Sequence, residues 1–185
     1  QTIPTLVGDI GGGSLYLIIG ILSGLVKAQK TGKGTIVDAA IVDGSAHMMN
    51  LLMSMQDVGA IEMKRGLSLL DGSHVSRCYR CSDGKYISVQ CLEPKFYKQF
   101  LEILSVDKNP LMQTQYDSSQ WKMQTEFLSD IFQENPQSYW TDLFSDLDAC
   151  VAPILTPEEA ETDPHIKSRE IWVRENGYLM ASAAP

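Results

Sequence analysis

A glycine-rich turn followed at once by a long apolar helix constrains this chain more than any other feature. The turn reads Val7-Gly8-Asp9-Ile10-Gly11-Gly12-Gly13-Ser14. Helical periodicity then runs over residues 15–30. Glycine has no Cβ, so its backbone N–H groups can approach a ligand closely. At a helix N-terminus, free N–H groups and the positive end of the helix dipole favour an anion. The turn is therefore a candidate seat for a phosphate, a carboxylate or a developing oxyanion.

Two interpretations of Asp9 remain open at this level. Its carboxylate can cap the helix or shape the turn, with the glycines serving only for a tight start of the helix. Alternatively, Asp9 stands at the edge of a ligand site formed by the glycine amides. A lone glycine-rich turn does not separate the two interpretations.

The net charge limits the kinds of partner, and the length limits the number of domains. The chain of 185 residues has a net charge of −8, which argues against nucleic acid or an anionic membrane surface as the main partner. Its length suffices for one larger domain or two small ones. The longest apolar run, residues 15–26, is too short to span a bilayer, and we predict a buried core helix there.

The cysteines leave three interpretations open. Cys78 and Cys81 have zinc-ribbon spacing, but no second pair repeats it. In a strand, moreover, positions three apart face opposite sides. We expect structural thiols at these two positions and at Cys91 and Cys150, with redox chemistry or zinc as the alternatives. The sequence thus predicts no metal site.

The rest of the chain predicts helices alternating with short strands. Asp83-Gly84 indicates a hairpin, and Glu93 precedes Pro94 where its carboxylate can cap the next helix. Residues 64–73 are a predicted linker with a candidate mobile loop at 69–73. The predicted helices cover residues 15–30, 39–58, 118–133 and 137–147, one more begins at Pro94, and further helical turns follow residues 156 and 163. The predicted strands cover 35–38, 75–81, 85–91 and 149–155, and another begins at 171 without an identifiable partner.

Two finer expectations concern the first helices. Gly20 and Gly24 lie four residues apart and would let another helix pack closely against the helix over 15–30. His47 lies near Asp43 in the helix over 39–58, and we interpret it as a structural rather than a catalytic histidine.

A series of motifs follows one order along the chain. They are Gly8-Asp9-Ile10-Gly11-Gly12-Gly13, Thr31-Gly32-Lys33-Gly34, Val37-Asp38-Ala39-Ala40, Val42-Asp43-Gly44-Ser45, Arg65-Gly66, Leu70-Asp71-Gly72, Tyr79-Arg80-Cys81-Ser82-Asp83-Gly84-Lys85-Tyr86, Leu92-Glu93-Pro94-Lys95-Phe96-Tyr97, Asp148-Ala149-Cys150-Val151-Ala152-Pro153 and Asp163-Pro164-His165. In this order and spacing the chain resembles the family III CoA-transferases, most closely their α-methylacyl-CoA racemase branch. The resemblance covers nearly the whole chain.

The resemblance implies an α/β fold of two interlocked monomers. Each monomer would have a large α/β domain with a CoA-binding, Rossmann-like half and a smaller α+β domain. This chain would carry the C-terminal part of the large domain (1–64), the small domain (65–165) and the start of the segment that returns to the large domain (166–185). The N-terminal half would lie outside it, and the start at Gln1 likewise suggests a piece of a longer chain. We accordingly expect a homodimer, or an aggregation-prone surface on the isolated piece.

The resemblance also implies an active site. Asp9 matches the aspartate that exchanges the proton alpha to an acyl-CoA thioester, paired with a histidine of the absent half; His47, His74 and His165 do not match that histidine. Glu93 matches a glutamate that orients the acid/base pair. Gly11, Gly12 and Gly13, with Asp71 and Gly72, correspond to substrate- or CoA-binding positions. Coenzyme A would enter as part of the substrate, with no covalently bound cofactor.

Three functions follow from the resemblance. The first is an acyl-CoA 2-epimerase, which the three consecutive glycines favour. The second is an acyl-CoA:carboxylate CoA-transferase with Asp9 as nucleophile, and the third is a non-catalytic piece that acts through dimerisation. Ser73-His74-Val75-Ser76 departs from both enzyme branches and leaves the substrate range open. The compartment would be the cytoplasm in a bacterium, or mitochondria or peroxisomes in a eukaryote.

Overall fold

A computed structural model describes residues 5–183 of the chain. The chain divides between Met63 and Lys64 into two compact units, which are described separately below. The division lies one residue before the domain boundary expected after residue 64. The assignment of the two units to a large and a small domain stays a prediction.

The first unit begins with one continuous helical stretch. A π-helical segment, Leu6–Ser14, passes directly into α1 (Leu15–Thr31). The helix predicted over 15–30 is confirmed, but its N-terminus is not, because the glycine turn is itself helical. Gly32 follows the last residue of α1, and its left-handed backbone (φ 66°) allows its N–H to donate to the Ala28 carbonyl at 2.8 Å.

Two short helices complete the first unit. α2 (Ile41–Met48) and α3 (Asn50–Asp57) replace the single helix predicted over 39–58, with an interruption at Met49. In α2, His47 Nδ1 lies 2.7 Å from the Tyr16 hydroxyl, and the two rings meet edge to face. This partnered ring agrees with the interpretation of His47 as a structural histidine.

The segment that joins α1 to α2 is extended but is not a strand. Residues 35–38 pair with no strand among residues 5–183, so the predicted strand is wrong. Val37 and Thr35 instead pack on α1 where it has glycines. A Cβ on Gly20 would lie 2.5 Å from Val37 Cγ1, and one on Gly24 would lie 2.9 Å from Thr35 Cγ2. The close approach that we predicted for another helix is made by this extended segment.

α1 is apolar on every side and buries none of its residues within the described chain. Ile19 is 60% exposed and Leu22 is 57% exposed. The expectation of a buried core helix is therefore not met. The helical stretch Leu6–Thr31 is long and apolar enough to cross a membrane. Core helices of soluble proteins can have the same length and composition. The sequence argument that the apolar run is too short to span a bilayer applies to residues 15–26 and not to this longer helical stretch.

The second unit is centred on a three-stranded antiparallel sheet in the order β1-β2-β3. The strands are β1 (Arg77–Arg80), β2 (Tyr86–Val89) and β3 (Val151–Ile154). Ile87 in the central strand lies opposite Tyr79 on one side and Pro153 on the other. The strands predicted at 75–81, 85–91 and 149–155 are confirmed, with shorter bounds.

The hairpin between β1 and β2 forms at the predicted Asp83-Gly84 turn. Gly84 has a φ of 82°, which favours glycine. Its N–H donates to the Cys81 carbonyl at 3.0 Å, and the Lys85 N–H donates to Asp83 Oδ1 at 3.1 Å. These bonds fix the β1–β2 register.

Helices cover this sheet and enclose an aromatic core. They are α4 (Pro94–Ile103), a 3₁₀ turn (Pro110–Gln113), α5 (Trp121–Phe132) and α6 (Gln137–Phe144). The helices predicted at Pro94, 118–133 and 137–147 are thus confirmed in position.

Phe132 lies at the centre of the aromatic core and is fully buried. Its ring stacks on Tyr79 of β1 at 5.0 Å and meets Trp140 of α6 edge to face, also at 5.0 Å. The Trp140 indole N–H donates to the Phe132 carbonyl at 2.9 Å. Side-chain packing and this hydrogen bond together join α5, α6 and the sheet.

The C-terminal segment adds two short helices and a second hairpin to this unit. They are α7 (Pro157–Thr162), α8 (Pro164–Ser168), β4 (Trp172–Glu175) and β5 (Tyr178–Ala181). β4 pairs antiparallel with β5, which supplies the partner that the sequence did not identify. Asn176-Gly177 between the two strands is a strong hairpin signal that we overlooked.

Charged side chains connect α7 to the β1–β2 hairpin and to β4 of the second unit. Thr156 and Glu159 form a capping box at the start of α7. Glu159 also pairs with Lys85 at 2.6 Å, and Glu161 pairs with Arg174 of β4 through two bonds of 2.7 and 2.6 Å.

Candidate active site

Asp9 lies in the π-helical segment of the first unit and is exposed. Its backbone carbonyl accepts a hydrogen bond from Ser14 Oγ at 3.1 Å. Its carboxylate accepts no hydrogen bond and forms no ion pair with any residue between 5 and 183. The interpretation of Asp9 as a side-chain helix cap is therefore wrong, and the carboxylate is available to a ligand.

The glycines after Asp9 do not present free N–H groups as we predicted. In a π-helix each N–H pairs with the carbonyl five residues earlier, as Ile10 does with Thr5 at 3.0 Å. The amides of Gly11, Gly12 and Gly13 are internal to this pattern. The idea of an anion seat made of free amides is corrected accordingly, and the role of the three glycines in ligand binding stays a prediction.

Gly12 has a visible structural role in the crossing of the π-helical segment and α2. Gly12 and Gly44 are both buried. A Cβ on Gly44 would overlap the Gly12 carbonyl, and a Cβ on Gly12 would overlap Ser45 Oγ and approach the Ile41 carbonyl to 3.0 Å. Only glycine permits the backbones to approach this closely.

Glu93 lies at the N-terminus of α4 in the second unit. Its backbone carbonyl accepts hydrogen bonds from the N–H groups of Phe96 at 3.1 Å and Tyr97 at 3.0 Å. Its carboxylate makes no capping bond, so the capping explanation for this side chain is wrong. The carboxylate is exposed and unpaired within residues 5–183, and its role in the active site stays a prediction.

Two thiols lie near Glu93. Burial raises the pKa of the Cys91 and Cys150 thiols, and the Glu93 charge raises it further. A thiol with a raised pKa stays protonated at neutral pH and is a poor nucleophile.

All four cysteines are free thiols. Within residues 5–183, no group of three or more His, Cys, Asp and Glu residues could hold a metal ion.

Asp71 closes the loop that precedes β1. Its carboxylate accepts N–H hydrogen bonds from Gly66 at 2.7 Å and Ser68 at 3.1 Å. These bonds, first that from Gly66, lower the pKa of Asp71. The carboxylate therefore shapes the loop, and its contact with substrate or CoA stays a prediction.

Gly72 lies against the backbone of Gly66. A Cβ at this position would overlap the Gly66 carbonyl and lie 3.2 Å from the Leu67 nitrogen. Because backbone atoms cannot rotate away as side chains do, the loop needs glycine here whether or not it binds a ligand.

We expect Gly72→Ala to destabilise the second unit by about 2 kcal/mol, because the methyl group forces the loop backbone apart. Thermal unfolding followed by far-UV circular dichroism measures the change. Gly34→Ala is the matched control, since no atom lies within 4 Å of its added Cβ. An equal loss of thermal stability in Gly72→Ala and Gly34→Ala would contradict the packing argument.

Residues 73–76, which depart from the family pattern, are buried and connect the loop that precedes β1 to the core of the second unit. Ser73, His74, Val75 and Ser76 are all buried. Ser73 Oγ donates to the Leu69 carbonyl at 2.8 Å. These contacts attach the loop to the core of the second unit and do not indicate a mobile segment. Sequence reasoning missed them because serine and histidine are more often found exposed or partly exposed.

His74 is fully buried and joins three elements. Its Nε2 lies 3.0 Å from the Tyr97 hydroxyl of α4, which donates its own proton to the Met112 carbonyl at 2.7 Å. Nε2 must therefore carry a proton and donate it to Tyr97. Nδ1 is left as a buried acceptor without a partner. The Tyr79 hydroxyl of β1 donates to the His74 carbonyl at 2.6 Å.

A protein-family comparison decides what kind of chain this is. The model of CoA-transferase family III matches residues 1–179. The chain belongs to CoA-transferase family III. The family resemblance carried by the motifs is thereby confirmed.

Curated relatives of this family III chain include two racemases. Mouse (Mus musculus) alpha-methylacyl-CoA racemase is 31% identical over 175 residues, which cover 94% of this chain and 46% of that protein. The Homo sapiens protein of the same name is 33% identical over 169 residues, with coverages of 91% and 44%. Acetyl-CoA:oxalate CoA-transferase of Acetobacter aceti is 22% identical over 192 residues, with coverages of 96% and 47%. The chain thus spans about half the length of these relatives.

Solved structures agree on the fold of the family III chain. A Mycobacterium tuberculosis protein, Rv3272, matches with a TM-score of 0.69 and 14% identity over 100% of this chain and 49% of its own. A CAIB/BAIF family protein from Brucella suis matches with a TM-score of 0.68 and 21% identity, covering 97% and 48%. The predicted α/β family III fold is confirmed.

Proposed function

We propose that the protein carrying this chain interconverts the two configurations at the α-carbon of 2-methylacyl-CoA thioesters. The observation that carries the proposal is the identity of 31% and 33% to two named racemases over 94% and 91% of the chain. The substrate would be an acyl-CoA, with coenzyme A as part of it and no covalently bound cofactor. Such a reaction belongs to the metabolism of branched fatty acids.

In the proposed reaction, Asp9 exchanges a proton with the α-carbon. As a carboxylate it would remove the proton, and the electron pair of the broken C–H bond would move onto the thioester oxygen as an enolate. A second group would return a proton to the opposite face. The exposed, unpaired Asp9 carboxylate is consistent with this role. The family resemblance assigns the second group to a histidine outside this chain.

Glu93 would orient the acid/base pair. The Glu93 backbone is fixed at the start of α4 because its carbonyl accepts two N–H hydrogen bonds, and its carboxylate remains unpaired within residues 5–183. Because the amides of Gly11, Gly12 and Gly13 belong to the π-helical pattern, we do not assign to them the stabilisation of the enolate oxygen. Gly12 is buried against α2, so we assign the close approach of substrate to Gly11 and Gly13. Stabilisation of that oxygen, which the reaction requires, would come from other groups.

Deuterium exchange tests the proposal. In deuterated water, we expect the longer protein to exchange the α-proton of a 2-methylacyl-CoA and to racemise it without any added carboxylic acid. The Asp57→Asn variant, at an exposed end of α3, is the matched control and should exchange at the native rate. Absence of exchange in a protein that binds acyl-CoA would overturn the racemase proposal.

A CoA-transferase is the second candidate, favoured by the similarity to acetyl-CoA:oxalate CoA-transferase. Asp9 would then attack the thioester carbonyl, expel the CoA thiolate and form an acyl anhydride. Turnover would require an acceptor acid. A hydroxylamine-sensitive acyl group on Asp9, without α-proton exchange, would favour this reaction over racemisation.

We also propose that α1 is covered by other parts of a homodimer. Apolar residues exposed around a whole helix are costly in water, and α1 has no buried residue within the described chain. In the third candidate function, the 185-residue chain acts only through this association. This third candidate is supported if the 185-residue chain alone neither binds CoA nor exchanges α-protons while the longer protein does both.

A further inference from the structure

A groove of about 520 Å³ opens in the second unit beside the loop closed by Asp71. The loop lines it with Gly66, Leu67 and Gly72, and α5 lines it with Trp121 and Lys122. Arg77, the first residue of β1, completes this side. The volume lies within the range of small-molecule sites.

Arg77 and Lys122 are cations without a protein counter-ion. Arg77 is half-buried, and its guanidinium makes no hydrogen bond or ion pair with any described residue from 5 to 183. None of its nitrogens is among the buried polar atoms that lack a partner, so they are accessible to solvent, and Arg77 lines the groove. Lys122, which is exposed, likewise forms no ion pair in this part of the chain. A guanidinium presents its N–H groups in a fork that matches a carboxylate.

The charges around the groove select for a single negative charge. Glu126 is the carboxylate that lines it beside the two cations. Asp71 on the adjoining loop keeps its negative charge while its oxygens accept the Gly66 and Ser68 N–H groups, and the neighbouring cation Arg65 offsets that charge. Two cations against one lining carboxylate suit a monoanion better than a phosphate, which carries more charge at neutral pH. The local excess of positive charge contrasts with the net charge of −8 of the chain.

We propose that this groove binds a small organic carboxylate, whose head group pairs with Arg77 and Lys122. Leu67, which is 48% exposed, and Trp121, which lines the groove while mostly buried, provide apolar surface for its body. The groove belongs entirely to the second unit. Gly72, a predicted substrate- or CoA-binding position, lines it, but the inference is argued from Arg77 and Lys122 and does not depend on the reaction proposed for Asp9.

Octanoate is a suitable probe, with octanamide as the neutral analogue of the same length. In calorimetric titrations of the 185-residue chain, we expect saturable octanoate binding that Arg77→Gln weakens by about tenfold, because a charge-assisted hydrogen-bond pair is lost. Lys122→Gln should weaken it by about threefold, and Glu126→Gln should strengthen it by a similar factor. Octanamide should bind at least about tenfold more weakly than octanoate.

Arg80→Gln is the matched control, because Arg80 is an exposed arginine of the same strand that does not line the groove. Its octanoate affinity should equal that of the native chain. Circular dichroism verifies folding, and Glu126→Gln keeps the test decisive if Arg77→Gln unfolds. Octanoate binding that none of the groove variants changes, equal binding of octanamide, or no saturable binding would overturn the proposal.

Discussion

Asp9→Asn in the longer protein is expected to reduce turnover by about a thousandfold, because an amide cannot exchange a proton with the α-carbon. Asparagine has nearly the same shape as aspartate, so the π-helical segment and its contacts with α2 should remain. We therefore expect the KM for acyl-CoA to stay within about threefold, since the binding surface is kept.

Steady-state kinetics of the purified variant measure both quantities. Asp57→Asn, which removes an equivalent charge from the first unit, should leave turnover unchanged. An Asp9→Asn enzyme that retains the native rate would exclude Asp9 as proton-transfer group and as nucleophile alike, and both enzymatic candidates would then fail.

His74 is expected to make the second unit strongly sensitive to mild acid. Burial lowers the pKa of His74 from 6.5 to about 4, with a further lowering by the charge of Arg77. Between pH 6.5 and about 4, His74 is protonated in the unfolded chain but stays neutral in the folded chain. The free energy of unfolding should therefore fall as the pH falls from 6.5 towards 4, by about 3 kcal/mol in total.

His74→Gln should abolish most of this pH dependence. The glutamine side-chain amide does not titrate, and its Nε2 can still donate to the Tyr97 hydroxyl. Urea unfolding at several pH values between about 7 and about 4.5, which lie inside the window where the histidine responds, measures the slope by tryptophan fluorescence. All three tryptophans (Trp121, Trp140 and Trp172) lie in the second unit.

The carboxylates with lowered pKa values respond only at the acid end of this range and below it, because their ordinary pKa values are 3.8 and 4.5. Asp71, Glu159 and Glu161 have lowered pKa values, so their contributions are lost mostly in stronger acid. His165→Gln, at an exposed position in α8, is the control and should keep the native slope. An equally steep slope in His74→Gln would show that another group governs the response.

Local sequence signals predicted most of the second unit correctly. Asp83-Gly84 indicated the β1–β2 hairpin, and Pro94 marked the start of α4. These signals succeed because turns and helix ends are determined by the backbone preferences of a few adjacent residues. The same kind of signal, Asn176-Gly177, was available for the β4–β5 hairpin and was overlooked.

Errors arose where a segment depends on contacts distant in sequence. Residues 35–38 have the composition of a strand, but a strand also needs a partner with free N–H and C=O groups, and the described chain supplies none. The glycines after Asp9 suggested a helix N-terminus. They lie instead inside a π-helical segment that crosses α2, where Gly12 meets Gly44.

The sequence by itself determined the family, the order of the elements and the identity of Asp9 and Glu93 as candidate site residues, because motifs and spacings are properties of the linear chain. Only the tertiary structure decided that Asp71 and Gly72 shape a loop, that His74 is buried and bound to Tyr97, and that Arg77 and Lys122 line one groove. Burial and convergence depend on which distant residues pack together, and no local pattern encodes them.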